Sequence, residues 1–182
     1  MIIIELEGKE YNMPQSWEEV NLEMFEKIVD LTSIFSEFQS RYQFSIEMLS
    51  ILTSAPKEQL SKMSKKSFEE LATACEWSQQ QITTKSKKKF NIDGEEYLVI
   101  KDLNSLEMGD MVSLELMIGN SSPSNLLINI LPILIRKAKV INKSGKVVKV
   151  PGPFVAEEYE LLRDKFKRNL NVADVNDLKD FF

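Results

Sequence analysis

Apolar and polar residues alternate along the chain in two short runs, each of which surrounds an acidic residue followed by glycine. The first run brackets Glu7-Gly8 and the second brackets Asp93-Gly94. Such alternation is typical of a strand with one buried face, and a glycine at this place favours the tight primed turn of a hairpin. The pattern therefore predicts a β-hairpin around each glycine.

Each predicted hairpin leads into a helical pattern, so the same hairpin-helix module occurs twice. Residues 22–38 follow the first hairpin and residues 107–118 follow the second, both with apolar residues at helical spacing. Ser16 and Glu19 have the spacing of a capping box at the start of the first helix. At a constant offset the matching positions are Gly8 and Gly94, Glu10 and Glu96, Tyr11 and Tyr97, Val20 and Leu106, Phe25 and Met111, and Ile28 and Leu114.

A third hairpin is predicted around Ser144-Gly145, which separates two valine-rich segments. The helix after it is expected to begin near Val155, which does not match the spacing of the other two modules. We therefore predict an additional hairpin here rather than a third repeat. A last helix is expected from Val172 to Phe182.

Between the first two hairpins the chain is predicted to be helical. Residues 39–53 continue the helical spacing of residues 22–38, and Pro56 ends the pattern. The two segments form either one long helix or an antiparallel pair.

A basic, polar connection from Lys57 to Lys66 precedes the next helix. Ser67 and Glu70 have capping-box spacing at the start of that helix. Cys75 lies on its apolar side and is predicted to be a buried core thiol, because nothing nearby would lower its pKa.

The most apolar stretch of the chain runs from Leu126 to Ala138 and contains Pro132, which should kink or divide a helix. We predict that this stretch belongs to the core, with an interface between protomers as the alternative. Its longest apolar run is well short of the ~20 residues needed to cross a bilayer, so no membrane span is expected.

These patterns together predict an α+β fold that is mostly helical, with two or three small β-hairpins. A dense run of lysines at residues 85–89 is predicted to be a solvated linker, with an acidic or phosphate-bearing partner as the alternative. It divides the chain into a hairpin plus helical subdomain at residues 1–84 and a second module with the C-terminal helices at residues 85–182. One compact domain is the alternative.

Composition argues against catalysis. The chain has no histidine, so it lacks the commonest general base and metal ligand, and its single cysteine excludes an internal disulfide. No glycine-rich phosphate-binding motif or nucleophile elbow is present. We therefore predict a protein that is not an enzyme and that has no catalytic residue, cofactor or metal.

Charge is unevenly distributed along the chain, although the net charge is only −5. Residues 1–56 hold ten acidic and three basic side chains, whereas residues 116–156 have no acidic side chain. Such asymmetry suits head-to-tail assembly, in which unlike patches meet. Nucleic-acid binding is less favoured than assembly, and a solvated surface without any partner is as strong an alternative as these two together. The basic residues of this stripe are Arg136, Lys137, Lys139, Lys143, Lys146 and Lys149.

Both ends of the chain resemble small virion and tail-assembly proteins of tailed bacteriophages, particularly the crAss-like group. The first motif is carried by Gly8, Lys9, Tyr11, Pro14, Ser16, Trp17, Glu19 and Val20. The second is carried by Val172, Asp174, Val175, Leu178, Phe181 and Phe182.

The resemblance implies a non-enzymatic part of the virion, made in the bacterial cytoplasm: a neck, ring or tail component, or a cargo protein carried in the tail. Its partners would be other virion or tail proteins in a multi-copy assembly. A tail assembly chaperone, which shields apolar surface of another tail protein, is the alternative. Partner-binding candidates are Tyr11, Trp17, Arg136, Lys137, Lys143, Lys146, Lys149, Phe181 and Phe182.

Overall fold

The computed structural model describes residues 1–83 and 87–181, so Phe182 and the predicted linker residues Lys85 and Ser86 lie outside the described residues. The described chain combines helices with two small antiparallel sheets, which confirms the predicted α+β class. It divides into two compact units. Unit 1 comprises residues 1–83 with 171–173, and unit 2 comprises the described residues of 87–170 and 174–181.

Unit 1 contains one hairpin and four helices. The hairpin buries Leu6, Tyr11 and Met13 on one face, and α2 packs against α1, α3 and β2. Its elements are β1 (Ile2–Leu6), β2 (Lys9–Met13), α1 (Leu22–Ser33), α2 (Arg41–Thr53), α3 (Lys57–Ser61) and α4 (Lys65–Thr73).

Unit 2 contains a four-stranded antiparallel sheet in the order β3-β4-β5-β6. Its core is formed by α6, which is buried along most of its length, together with Tyr97 and Phe166. Its elements are β3 (Lys89–Ile92), β4 (Glu95–Val99), α5 (Met108–Asn120), α6 (Pro123–Leu134), β5 (Ile135–Lys143), β6 (Lys146–Pro151) and α7 (Tyr159–Asn169). A short helix α8 (Val172–Val175) follows.

All three predicted hairpins are present, and each closes through a two-residue turn. Both turn residues have positive φ, between 50° and 82°, in Glu7-Gly8, Asp93-Gly94 and Ser144-Gly145. These are the backbone angles of a primed turn, whose twist matches that of the flanking strands. A two-residue turn also fixes the register, so equivalent positions pair in all three hairpins: Ile4 with Tyr11, Phe90 with Tyr97, and Ile141 with Val148.

The third hairpin is followed by the same order of elements as the first two, which corrects the predicted start near Val155. A short 3₁₀ helix occupies Ala156–Glu158, and α7 begins only at Tyr159. The helices after the three hairpins all begin fourteen residues beyond the hairpin glycine (8 to 22, 94 to 108 and 145 to 159). The predicted start was too early because the 3₁₀ helix directly precedes α7. The sequence pattern does not distinguish a 3₁₀ turn from the first turn of an α-helix.

Both predicted capping boxes are wrong. Ser16 makes no side-chain cap bond, and α1 is capped instead by Asn21, whose Oδ1 accepts a hydrogen bond from the Met24 amide at 2.8 Å. Likewise α4 begins two residues before Ser67, and Ser64 is its N-cap. A reciprocal capping box does occur at the start of α5, where Oδ2 of Asp110 accepts from the Glu107 amide.

Other helix boundaries also depart from the predictions. Residues 22–53, for which either one helix or a pair was predicted, form two helices that are separated by a 3₁₀ turn at Phe35–Glu37. The connection after Pro56 contains α3, and α4 ends at Thr73, before the buried Cys75. The last segment is a short α8 followed by a 3₁₀ helix at Asn176–Phe181 rather than one continuous helix.

The apolar stretch at residues 126–138 changes from helix to strand. Pro132 lies inside α6, which ends two residues later, and β5 begins directly at Ile135. Most of its side chains are buried in unit 2, in agreement with the core interpretation. The buried residues are Leu127, Ile128, Ile130, Leu131, Pro132, Ile133, Leu134, Ile135 and Arg136.

One end of the sheet consists of two strands only. β4 pairs with residues 135–137 of β5, whereas the β5–β6 ladder continues from Ala138 with Pro151 to Lys143 with Lys146. Six residue pairs at ~3.4 Å per residue give this part of the hairpin a length of roughly 20 Å. We call residues 138–151 the β5–β6 arm.

Candidate interaction surfaces

Arg136 is only 4% exposed, so it is not part of an exposed basic stripe. Its Nη2 lies 3.2 Å from Oδ2 of Asp110 on α5. Its Nε donates to the backbone oxygen of Ile133 at 2.6 Å, and the guanidinium lies 5.2 Å from the ring centre of Phe154. These contacts hold Arg136 inside unit 2, so its side chain is not available to bind a partner.

Lys137 and Lys149 are exposed but already neutralised within the sheet. Lys137 donates to Glu95, and Lys149 donates to Glu96, both of which belong to β4. The pKa of Glu96 is lowered by this hydrogen bond. These two lysines therefore offer less unbalanced charge to a partner than the sequence suggests.

Lys143 and Lys146 are placed differently, at the tip of the β5–β6 arm. They lie directly opposite each other across the ladder, both exposed. Neither forms an ion pair with any residue that the structure describes, and the same holds for Lys139 further down the arm. Like charges directly opposite each other in a hairpin are destabilising, so the arm tip holds an unrelieved repulsion.

The β5–β6 arm also exposes apolar side chains, which the sequence analysis did not single out. Val140 is 59% exposed and Val147 is 74% exposed. Val140 pairs with Lys149 and Asn142 pairs with Val147, so the two valines share the face opposite to that of Lys143 and Lys146. Both faces of the arm are therefore accessible.

The hairpin of unit 1 carries the opposite charge on its outward face. Glu5 lies directly opposite Glu10 in the β1–β2 register, and both are exposed. Neither has an ion-pair partner in the described part of the chain. Ile3, on the same face as Glu5, is 61% exposed. This outward face therefore combines a repulsive pair of carboxylates with an exposed apolar residue.

Tyr11 and Trp17 are engaged inside unit 1. Tyr11 is buried, and its hydroxyl donates to Oε1 of Gln59 at 2.9 Å. Trp17 is half-buried, donates from Nε1 to the backbone oxygen of Gln80, and packs edge-on against Trp77 at 5.3 Å. Both aromatic residues stabilise unit 1, and we do not include them in a contact surface. Phe181 ends the last 3₁₀ helix.

A cleft in unit 1 is lined by both apolar and polar side chains from α1, α2, α4 and the segment after α4. Its volume is about 670 Å³, and its lining includes Ile28, Phe44 and Met48. Phe44 packs edge-on against Phe35, which is half exposed. Ile34 and Tyr42 nearby in the chain are also exposed. This part of unit 1 is an apolar surface that the sequence analysis assigned to helix packing.

A hydrogen-bonded cluster joins β4 to α7 inside unit 2. The Tyr97 hydroxyl donates to Oε2 of Glu95 at 2.8 Å, and Nζ of Lys165 lies 3.1 Å from the same oxygen. Hydrogen bonds from Lys137, Tyr97 and Lys165 lower the pKa of Glu95 to about 2. Burial raises the pKa of Tyr97, and the hydrogen bond to Tyr97 raises that of Lys165.

These pKa shifts all move away from neutral pH. General acid or base catalysis is most effective when the pKa lies near the working pH. The cluster of Glu95, Tyr97 and Lys165 is therefore suited to holding β4 against α7 and not to proton transfer.

The cluster should make the stability of unit 2 depend on acid pH. The pKa of Glu95 falls from an ordinary 4.5 to about 2 on folding, so its contribution is present above pH 4.5 and is lost as the pH falls through 2. We expect Glu95→Gln to lower Tm by a few degrees at pH 6, and we expect this difference from the wild type to shrink steadily between pH 4.5 and 2. Thermal unfolding followed by circular dichroism measures both.

The matched control is Glu115→Gln, which removes an exposed carboxylate of α5 outside the cluster. It should leave the difference from the wild type near zero at every pH. A constant Tm difference for Glu95→Gln across the same range would contradict the assignment of Glu95.

Cys75 is a buried thiol, and burial raises its pKa to about 11. Its Sγ lies 3.4 Å from Sδ of Met13. In the described residues, no group of three or more potential ligands is arranged to hold a metal ion. Over the same residues, none of the helices combines the length and apolar character needed to span a membrane.

No protein-family model matches this chain, and no curated protein or solved structure shows significant similarity to it.

Proposed function

We propose that this protein is a non-enzymatic structural component of a multi-copy assembly, acting through protein-protein contacts. The observation that carries the proposal is the β5–β6 arm. It exposes Val140 and Val147 on one face and the unpaired Lys143 and Lys146 on the other. Exposed apolar residues beside unbalanced charge are typical of a surface that another protein covers.

The resemblance of both chain ends to small phage proteins suggests where such an assembly would be. On this basis we propose a neck, ring or tail component of a tailed-phage virion, or a protein carried in the tail. The apolar stretch at residues 126–138 is not part of the proposed contacts, because it is buried in the core of unit 2.

An assembly chaperone is the second candidate, and the cleft of unit 1 supports it. A chaperone that shields apolar surface needs a groove with apolar groups in it, and here the exposed Phe35 packs against Phe44 of the cleft lining. Nucleic-acid binding is less well supported, because Arg136 is buried and Lys137 and Lys149 are paired. Few lysines of the stripe remain to neutralise phosphates.

The mass of the purified full-length protein in solution tests the proposal. We expect light scattering to give a closed oligomer of several copies, and we expect its mass to fall as salt increases, because charge contributes to the contacts. The measurement should cover a wide range of protein concentration. A strict monomer under every condition would contradict the multi-copy component and would favour the chaperone.

A further inference from the structure

We propose that the tip of the β5–β6 arm of one copy docks on the outward face of the β1–β2 hairpin of a second copy. This inference rests on the proposed function, since it names the contact that would join neighbouring copies. The occupant of each surface is another copy of the same chain, and the contact is head-to-tail.

Each surface carries a repulsion between like charges that the other surface would relieve. Lys143 lies opposite Lys146 on the arm, and Glu5 lies opposite Glu10 on the hairpin. All four side chains are exposed, and none has an ion-pair partner within the described residues. A like-charged cross-strand pair destabilises an isolated hairpin, and contact with a pair of opposite charge removes that cost.

The spacing of the two pairs is similar. Lys143 and Lys146 flank their turn as a hydrogen-bonded pair, with Cα atoms about 5.5 Å apart, and Glu5 and Glu10 form the next, non-hydrogen-bonded pair of their hairpin, at about 4.5 Å. The flexible side chains accommodate this difference of about 1 Å. Packed sheets lie about 10 Å apart, which extended lysine and glutamate side chains span together. Two ion pairs can therefore form in a single face-to-face contact between hairpins.

The next row of residues on each face contains apolar side chains. Beside the lysine pair, Ile141 pairs with Val148, and both are half-buried. Beside the glutamate pair lies Ile3, which is 61% exposed and pairs with the polar Asn12. When the charges are aligned, the single apolar side chain of this row therefore meets Ile141 and Val148 of the arm.

Two other contacts are disfavoured by the same observations. An arm packed through its lysine face on the same face of a second arm would bring Lys143 and Lys146 against each other. A nucleic acid would use the lysines but would leave Ile141 and Val148 on that face without an apolar partner. Of these three contacts, the one between the arm and the β1–β2 hairpin matches unlike charges.

The test is a charge exchange in the full-length protein, with self-association measured by light scattering and sedimentation at low salt. One variant carries Glu5→Lys with Glu10→Lys, and the other carries Lys143→Glu with Lys146→Glu. Each variant has like charges on both surfaces, so each should need roughly tenfold or more higher concentration to associate than the wild type.

Combining the changes should restore association. In an equimolar mixture of the two variants, the basic hairpin of one meets the acidic arm of the other. The chain with all four substitutions also has opposite charges on its two surfaces. Both samples should associate at concentrations within about threefold of the wild type, a recovery expected when the same charge pairs re-form with reversed sign.

A charge control is Lys66→Glu with Lys88→Glu, which has the same net charge as the lysine variant and changes exposed lysines outside the arm. It should associate like the wild type. If the wild type associates and the two exchange variants behave like this control, the docking inference is overturned while a multi-copy assembly stands. A wild type that stays monomeric overturns both.

Binding to duplex DNA is measured as a separate test. If Lys143→Glu with Lys146→Glu abolishes DNA binding but leaves self-association unchanged, the arm tip faces nucleic acid and the docking inference is overturned. Circular dichroism of each variant should match that of the wild type, since all four positions are exposed in hairpins.

Discussion

Replacing Asp110 with alanine should lower the free energy of unfolding of unit 2 by about 3 kcal/mol. Arg136 is 4% exposed, and its nearest charged partner is Asp110 at 3.2 Å. Without that carboxylate, the buried guanidinium loses its nearest opposite charge and keeps the weaker attraction of Glu107. The substitution also removes the acceptor for the Glu107 amide at the start of α5.

Two further variants separate these effects. Asp110→Asn keeps an acceptor for the Glu107 amide but removes the charge. If the ion pair dominates, this variant should lose nearly as much free energy of unfolding as Asp110→Ala. Arg136→Met combined with Asp110→Ala removes both charges and should recover a large part of it. If the double variant is no more stable than Asp110→Ala, the buried pair is not the cause.

Tryptophan emission reports unit 1 alone, because both tryptophans of the chain, Trp17 and Trp77, belong to unit 1, whereas ellipticity reports both units. Urea unfolding followed by ellipticity should shift for Asp110→Ala, whereas the transition followed by tryptophan emission should stay in place. Coincident shifts in the two signals would show that the units unfold as one cooperative domain.

Leu52→Ala should produce the opposite pattern, with a loss of about 3 kcal/mol in unit 1. Leu52 is fully buried on α2, which packs against α1, α3 and β2. The truncation leaves a cavity in the middle of these elements, so the transition followed by tryptophan emission should move to lower urea.

Leu52→Met is the matched control, because it keeps the volume and apolar character of the side chain. It should cost less than about 1.5 kcal/mol. A loss as large as that of Leu52→Ala would indicate that the site depends on side-chain shape and that the cavity is not the cause.

The hairpins were predictable because their determinants are local. A glycine at positive φ closes each turn, and a two-residue turn fixes the register of both strands. The opposition of Glu5 and Glu10 follows from that register and can be read from the sequence once the turn at Glu7-Gly8 is accepted. Their acidic character and the match of Glu10 to Glu96 were recognised from the sequence, but their opposition across the hairpin was not.

Helix boundaries and the environment of the basic stripe depend on contacts between distant residues. Nothing in the sequence around Lys137 and Lys149 indicates that Glu95 and Glu96 neutralise them, since these partners are separated along the chain by two helices. The change from α6 to β5 likewise occurs inside an apolar run, where periodicity carries no information about helix or strand.

Residues Asn171 to Ala173 belong to unit 1 but are synthesised long after the rest of it. Asn171 forms a β-bridge with Asn21, and the Val172 amide donates to the backbone oxygen of Val20 at 2.9 Å. A nascent chain therefore makes all of unit 2 up to Leu170 before it can close the backbone contacts of its first helical segment. Until residues 171–173 leave the ribosome, the backbone oxygen of Val20 lacks this hydrogen bond, so unit 1 has an open edge there.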